Sequence, residues 1–387
     1  MKIVFACGCL EPGRDGVGDY TRRLAGQLAA RGHDCHLLAL ADPHVREPLR
    51  ADLPCGDATL PALRLPFAAP WPQRIAEARA YLGAIAPDWM SWQVVLYGFD
   101  PRGLCLGLGE RFRQIAGDTP SEIMFHELWI GEADGTPLKR RLLGQVQRHV
   151  LADLLRRLRP RVVHTHIELY RRLLGRLGRH GAAAKILPLF GNIPVAPKAA
   201  PGWLAEKWPA GVARIAATGR EAWWLFVLFG SIHPEWDGDD FFRRASAAAK
   251  AAGKRVAFLS LGRAGAAGEA TLRRLAAHDG DAWLTHTLGP LPEADISQGL
   301  LTADFGVSPV PPEYLGKSGT AIAMLEHGLP VIVTRPPYRY RRCPADRLRV
   351  TTKNVVLDFD LAAHGRIPPR PHLPLVAAQF VADLSAA

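Results

Sequence analysis

The stretch Glu313-Tyr314-Leu315-Gly316-Lys317-Ser318-Gly319-Thr320-Ala321-Ile322-Ala323-Met324-Leu325-Glu326-His327-Gly328, continued by Leu329-Pro330-Val331-Ile332-Val333-Thr334, decides how the chain is read. A glycine-bearing loop opens a helix-like apolar segment, and a strand-length apolar run follows. Such a loop leaves unpaired backbone N–H groups and the positive end of a helix dipole where an anion binds, and Lys317 adds a full charge beside them. Taken alone, the segment fits either a phosphate cradle or a plain βαβ connection with a glycine turn. A second site in the chain has to separate the two.

Outward from this stretch, strand-length apolar runs alternate with helix-period segments, which predicts α/β architecture with parallel sheets covered by helices. In the first half the expected strands are 2–7, 35–41, 89–96, 122–126, 162–166 and 185–190. Tyr20, Leu24 and Leu28 form one face of the first helix. In the second half strands are expected at 223–229, 255–261, 283–288, 305–309 and 330–334, with a helix near 239–252. Between the halves runs Asn192-Ile193-Pro194-Val195-Ala196-Pro197-Lys198-Ala199-Ala200-Pro201-Gly202, too rich in proline for a helix or a central strand.

A chain of 387 residues exceeds what one core usually serves. The expected organisation is an N-terminal domain at 1–198, a C-terminal domain at 199–370, and a final helix within 371–387 that packs back on the first domain. Two such α/β halves would face each other across a central cleft, where ligands bind at the carboxyl ends of the strands.

The formal charge is +11, and most of the excess lies between Lys139 and Arg179, where twelve lysines and arginines face only Asp153 and Glu168. Within this block Leu142, Val146, Val150, Leu154 and Leu158 recur every fourth residue and are expected to face inward, leaving Arg141, Arg148 and Arg157 outward. A solvated basic face and a surface for anionic lipid both fit. Nucleic acid does not, because no aromatic residues interleave for stacking and no helix-turn-helix, finger or RNP pattern occurs. No apolar run approaches the roughly 18 residues that span a bilayer. The N-terminal Met1-Lys2-Ile3-Val4-Phe5-Ala6 reads as a first strand and not as a signal peptide.

Cys7, Cys9, Cys35, Cys55, Cys105 and Cys343 are scattered, with no Cys-x-x-Cys pair and no His spacing that would hold zinc. Reduced thiols in a cytoplasmic protein are expected, with Cys7 and Cys9 as small core fillers. No metal and no cofactor are expected.

The second site is the first βα loop, ending Gly16-Val17-Gly18-Asp19-Tyr20-Thr21 directly before the first helix. It is not the dinucleotide fingerprint, since Thr21 stands where the third glycine belongs. Close backbone approach to a ligand still fits. His126, at the end of an expected strand, is the other candidate, with Glu127 beside it; His164 and His166 share one face of the next strand.

Together with 316–334, these residues resemble the GT-B glycosyltransferases, family 4 in particular. Pro87-Asp88-Trp89 with Gln93 and Tyr97-Gly98-Phe99, Met124-Phe125-His126-Glu127-Leu128-Trp129, and Leu228-Phe229-Gly230-Ser231-Ile232 resemble the same family. The likeness runs from about Lys2 to Thr334. It implies two Rossmann-like domains and transfer of a sugar from a nucleotide diphosphate, UDP or GDP, with retention and without metal. The sugar itself is a substrate, not a cofactor. By the same resemblance His126 faces the reacting sugar. Gly16, Gly18, Ser231, Arg263, Lys317, Ser318, Gly319, Thr320 and Glu326 would hold the donor, while Asp19, Tyr20, Gln93, Tyr97, Glu127 and His166 would line the acceptor side.

The chain departs from the family pattern twice. The family's two glutamates, eight residues apart, would fall at Leu315 and Ala323, with Glu313 and Glu326 the nearest carboxylates. Its Arg and Lys in the first loop of the second domain are absent from 230–238, which leaves Arg263 and Lys317 to neutralise a leaving diphosphate. Two other readings therefore stand beside a transferase acting on a small-molecule, glycan or lipid-linked acceptor. One is a nucleotide-sugar 2-epimerase or hydrolase of the same fold. The other is a degenerate, non-catalytic nucleotide-binding subunit. The basic block adds possible contact with the inner membrane face.

Overall fold

A computed structural model describes residues 1–340 and 354–387, so Cys343 lies outside the described residues. The described residues divide into two compact units, the first made of 1–188, 339–340 and 373–387, the second of 189–338 and 354–372.

The first unit is built on an eight-stranded sheet in the order β3-β4-β2-β1-β5-β6-β7-β8. Its strands are β1 (Lys2–Cys7), β2 (Asp34–Asp42), β3 (Leu49–Cys55), β4 (Ala58–Pro66), β5 (Trp89–Val94), β6 (Ser121–Phe125), β7 (Val162–Thr165) and β8 (Lys185–Ile186). All pair in parallel except β3 with β4, an antiparallel hairpin at the edge. The hairpin was not expected from the sequence, because Pro54 and Pro61 interrupt its pattern; Pro54 sits on the edge strand β3, which tolerates a missing donor, and Pro61 on β4 precedes the first β2–β4 pair, Leu37 with Ala62. β1 and β5 are buried almost throughout, as strands covered on both faces must be. The expected strand at 185–190 stops at Ile186, just ahead of Pro188, which has no N–H to give a ladder.

Six helices accompany these strands: α1 (Gly16–Ala29), α2 (Trp71–Ile85), α3 (Leu108–Ala116), α4 (Leu138–Leu158), α5 (Glu168–Leu174) and α6 (Arg179–Ala182). α4 corrects one expectation. Val150, Leu154 and Leu158 are buried, but Leu142 is 61% and Val146 39% exposed, and Leu138 one turn earlier is 67% exposed. The cause is geometric: at 3.6 residues per turn a four-residue step overshoots by about 40°, so Leu142 lies roughly 160° around the helix from Leu158.

The second unit carries a six-stranded sheet in the order β11-β10-β9-β12-β13-β14. Its strands are β9 (Trp223–Phe229), β10 (Arg255–Leu261), β11 (Trp283–Gly289), β12 (Phe305–Ser308), β13 (Val331–Val333) and β14 (Val355–Val356), and the pairing is parallel throughout. The helices are α7 (Trp203–Lys207), α8 (Pro209–Ala216), α9 (Gly238–Ala251), α10 (Gly265–Ala276), α11 (Glu293–Thr302) and α12 (Gly319–Glu326). The proline-rich stretch expected as a linker is instead fastened to this unit: Ala196 N–H donates to Ser297 Oγ at 2.9 Å and Ala200 N–H to Gln298 Oε1 at 2.6 Å. Few backbone donors survive among its prolines, and α11 side chains take those two.

The last helix, α13 (Leu373–Ser385), belongs to the first unit. Phe380 is fully buried and stacks on Phe5 of β1 with ring centroids 5.7 Å apart. Truncating a buried aromatic leaves a cavity beside a central strand. Phe380→Ala should destabilise the first unit by about 3–5 kcal/mol in chemical denaturation.

Candidate functional site

Each sheet reverses its strand order at one place, between β1 and β5 in the first and between β9 and β12 in the second. Loops leaving neighbouring strands at such a point turn in opposite directions and open a crevice at the carboxyl ends.

In the first unit a cavity of about 480 Å³ lies there, lined by Gly8, Cys9, Arg14, Asp15 and Val17 from the loop and helix start after β1, and by Gln93, Tyr97 and Gly98 at and after the end of β5. Asp15 caps α1, its carboxylate accepting the Val17 N–H at 3.0 Å. Gly16 is exposed at the first turn, and no atom stands where its Cβ would be. Gly18 is buried, and a Cβ there would sit 2.3 Å from the Cys9 carbonyl oxygen, so close packing of α1 on the loop already requires a glycine. Asp19 faces the loop, accepting from Gly13 N–H at 3.0 Å and from Arg22 Nη2 at 2.5 Å.

The loop itself hangs on a buried cluster that the sequence reading missed. Arg64 on β4 donates from Nε to Asp42 Oδ2 at 2.8 Å and from Nη2 to Glu11 Oε2 at 2.6 Å. Asp42 also accepts the Leu10 and His44 N–H groups. Burial pushes the Asp42 carboxyl up, but the Arg64 hydrogen bond and these backbone donors outweigh it and hold it below its ordinary 3.8. Cys9, next to Asp42, has its thiol pushed up to about 12, chiefly by burial, and Cys7 lies well above its usual value for the same reason. Neither is a thiolate nucleophile at neutral pH.

Behind the cavity wall, His126 is 7% exposed just past β6. Its Nε2 is 2.9 Å from Gln93 Oε1, and its Nδ1 is 3.0 Å from His166 Nε2. The Tyr20 ring stands edge-on to both histidines, with centroids 4.7 and 5.4 Å away. His126, His166, Gln93 and Tyr20 thus meet as one group. Tyr97 lines the same cavity as Gln93, but its hydroxyl is engaged elsewhere, accepting from Gln147 Nε2 of α4 at 3.0 Å. Glu127 points elsewhere, toward Tyr170, whose phenol is raised by burial and by that carboxylate.

In the second unit the switch point brings the loop after β9 against the start of α12. Gly230 has φ +92°, and a Cβ on it would lie 2.7 Å from Thr320 Cγ2; Gly262, after β10, packs on Gly230 in turn. Ser318 caps α12, accepting the Ala321 N–H at 3.3 Å, with Thr320 Oγ1 3.2 Å from its hydroxyl. Lys317 is half-buried with Nζ 5.8 Å from the Tyr314 ring centroid. Ser231 and Arg263 are exposed in the loops after β9 and β10.

Glu326 stands apart from this group. It ends α12, roughly 10 Å along the axis from Gly319 at 1.5 Å per residue, and its carboxylate accepts the Gly191 N–H at 2.9 Å and the His372 N–H at 3.0 Å. Glu313 is likewise 3% exposed and accepts the Tyr338 N–H at 2.8 Å. Leu315 and Ala323, where the resembled family has glutamates, are fully buried in the core of this unit. Among the described residues no group of three or more His, Cys, Asp or Glu is placed to hold a metal ion.

No family model matches the sequence, and none of the curated proteins compared matches it. Solved structures do match. Anabaena Alr3699/HepE, determined in complex with UDP and glucose, shares 15% identity at a TM-score of 0.57, with all of both chains covered. The UDP-forming α,α-trehalose-phosphate synthase of Burkholderia vietnamiensis shares 12% at 0.54, covering 100% of this chain and 98% of that one. A putative UDP-N-acetylglucosamine 2-epimerase from Listeria monocytogenes shares 10% at 0.55, covering 100% and 96%. The chain has the GT-B fold, two Rossmann-like α/β domains. Transferases and an epimerase share that fold, so the fold alone does not separate the two reactions.

The Asp42 cluster gives a test by pH. Because the folded carboxyl is held below 3.8, its contribution to stability is present above that value and is lost as pH falls through the lower, folded value. Asp42→Asn should lower the melting temperature at pH 7 and flatten the acid limb of the stability curve measured between pH 5 and 2.

Proposed function

We propose that this protein is a glycosyltransferase that takes a sugar from a UDP- or GDP-linked donor, with retention and without a metal ion. The observation that carries the reading is the second switch point. A capped helix start at Ser318–Thr320, with Lys317 beside it and the Gly230 backbone packed against Thr320, offers N–H donors, a dipole end and a cation to a diphosphate. Arg263 would supply a second cation. Acceptor binding falls to the first-unit cavity, where the exposed Tyr97 side chain presents a phenol among apolar walls and Gln93 lies buried beneath. His126 stands behind Gln93 as the candidate catalytic group.

The epimerase or hydrolase reading stays beside it because the absence of both family glutamates, at Leu315 and Ala323, weakens the ordinary transferase pattern, although an epimerase would itself need carboxylates around the sugar. Product analysis separates the two, since an epimerase changes the donor with no acceptor present. Tight nucleotide binding with no chemistry on any donor would point to the degenerate subunit.

Thermal denaturation with UDP, GDP, ADP and dTDP is the first experiment, UDP leading because HepE was determined with it. A nucleotide at 100 times its dissociation constant adds about 2.7 kcal/mol. Lys317→Ala and Arg263→Ala should each reduce the shift. If no nucleotide raises the melting temperature, the reading fails.

The partner surface is α4. Leu138, Leu142 and Val146 form an outward apolar stripe, and at about 100° per residue Lys139 flanks it on one side and Arg141 and Arg148 on the other. No helix among the described residues is long and apolar enough to cross a membrane. An apolar stripe edged with cations suits an anionic lipid surface at the cytoplasmic face. Co-sedimentation with phosphatidylglycerol vesicles should exceed that with phosphatidylcholine, and Leu138→Asp with Leu142→Asp should abolish it. Equal sedimentation with both lipids would leave the stripe without this role.

A further inference from the structure

Three neighbouring strands carry polar residues on one buried face. These are Ser91 and Gln93 on β5, Glu122 within β6 with His126 just past its end, and His164 on β7 with His166 following it. The parallel register sets Ser91 opposite Glu122. The direction of each hydrogen bond along this face follows from which groups are able to donate.

An ionised carboxylate only accepts. Glu122 Oε2 takes the Ser91 hydroxyl proton at 2.6 Å. Ser91 has no second proton, so its oxygen accepts from Gln93 Nε2 at 2.7 Å. The Gln93 amide oxygen is thereby turned to His126 Nε2, which must donate across 2.9 Å. At the far end the Leu187 carbonyl oxygen accepts from His166 Nδ1 at 3.0 Å. Both outer ring nitrogens therefore carry protons. Two neutral rings would then oppose bare lone pairs across the 3.0 Å between His126 Nδ1 and His166 Nε2. One further proton turns that repulsion into a hydrogen bond.

We infer that His126 and His166 share one proton beyond two neutral imidazoles, and that Glu122, acting through Ser91 and Gln93, is the positioning residue that keeps it there. The line of polar contacts continues behind Glu122. Its Oε1 lies 2.9 Å from His164 Nδ1, His164 Nε2 lies 3.1 Å from Asp383 Oδ2, and Asp383 Oδ1 lies 2.6 Å from Lys185 Nζ. Burial raises the Asp383 carboxyl, but Lys185 and His164 outweigh it and hold it below its usual value. Tyr20 covers the histidine pair, and its phenol is pushed well up by burial and by Glu122, so it stays protonated. The outcome is a fixed buried cation beside the carboxyl ends of β6 and β7. Its use in catalysis, steadying a departing phosphate, rests on the transferase reading.

The test is ring-nitrogen NMR of the full chain labelled with nitrogen-15 histidine, at neutral pH. Three N–H groups are expected over the His126 and His166 rings, and two in Glu122→Met, where Ser91 loses its acceptor and can donate to a turned Gln93 amide. Ser91→Ala releases the Gln93 amide to turn and should give the same loss if Glu122→Met does not fold. Two neutral rings in the unmodified chain, or an unchanged pair in a folded variant, would overturn the inference. With a working donor, Glu122→Met should lower kcat at least tenfold and leave nucleotide affinity unchanged; an equal change in both would mean mere loosening of the fold. A chain inert toward every donor would count against the transferase reading alone, since the NMR result stands without turnover.

Discussion

Both candidate half-sites depend on one constraint, the reversal of strand order beside β1 and beside β9. Parallel strands are joined by right-handed crossovers, so a sheet that grows first to one side and then to the other must send two adjacent loops apart. Neither opening needs a special residue to create it. What the sequence adds is the furnishing: Asp42 and Arg64 hold the first loop in shape, and the Ser318 cap with the Gly230 turn shapes the second.

The two openings are furnished by different physics. In the first unit, charged and polar groups are linked along one face of the sheet, as Glu122, His164, Asp383 and Lys185 are. In the second, the places where carboxylates would be expected hold Leu315 and Ala323 in apolar packing, and the nearest acids serve backbone N–H groups instead. Under the proposed function, anion binding there would fall to backbone donors, a helix end, Lys317 and Arg263.

Much of this was legible in the sequence. The strands β1, β9 and β10 are continuous apolar runs, and such runs in a doubly covered sheet leave little choice. The glycine loops read from the sequence as ligand loops follow β1 and β12, two of the strands that flank the switch points. Other features were not legible. The β3–β4 hairpin hides behind Pro54 and Pro61, which break the apolar alternation of both its strands. The face of α4 was misjudged because an every-fourth repeat drifts around a helix. Glu326 stood at a plausible spacing, yet its role was set by Gly191 and His372, far off in sequence. Glu122 did leave a signal, a charged residue inside an apolar central strand, which cannot be buried alone. Its answering groups lie on other strands, and no local reading supplies them.

One contact bears on how the chain comes together in time. His164 meets Asp383 across 219 positions of sequence. As the chain emerges from the ribosome, the first sheet can be assembled long before its last acidic partner exists, and all of the second unit is made in the interval. Until α13 arrives, His164 lacks its partner Asp383 and Phe5 lacks the ring that covers it. The first domain is thus contiguous in space but interrupted in synthesis, and its final closure is a late, long-range event of the kind that folds slowly.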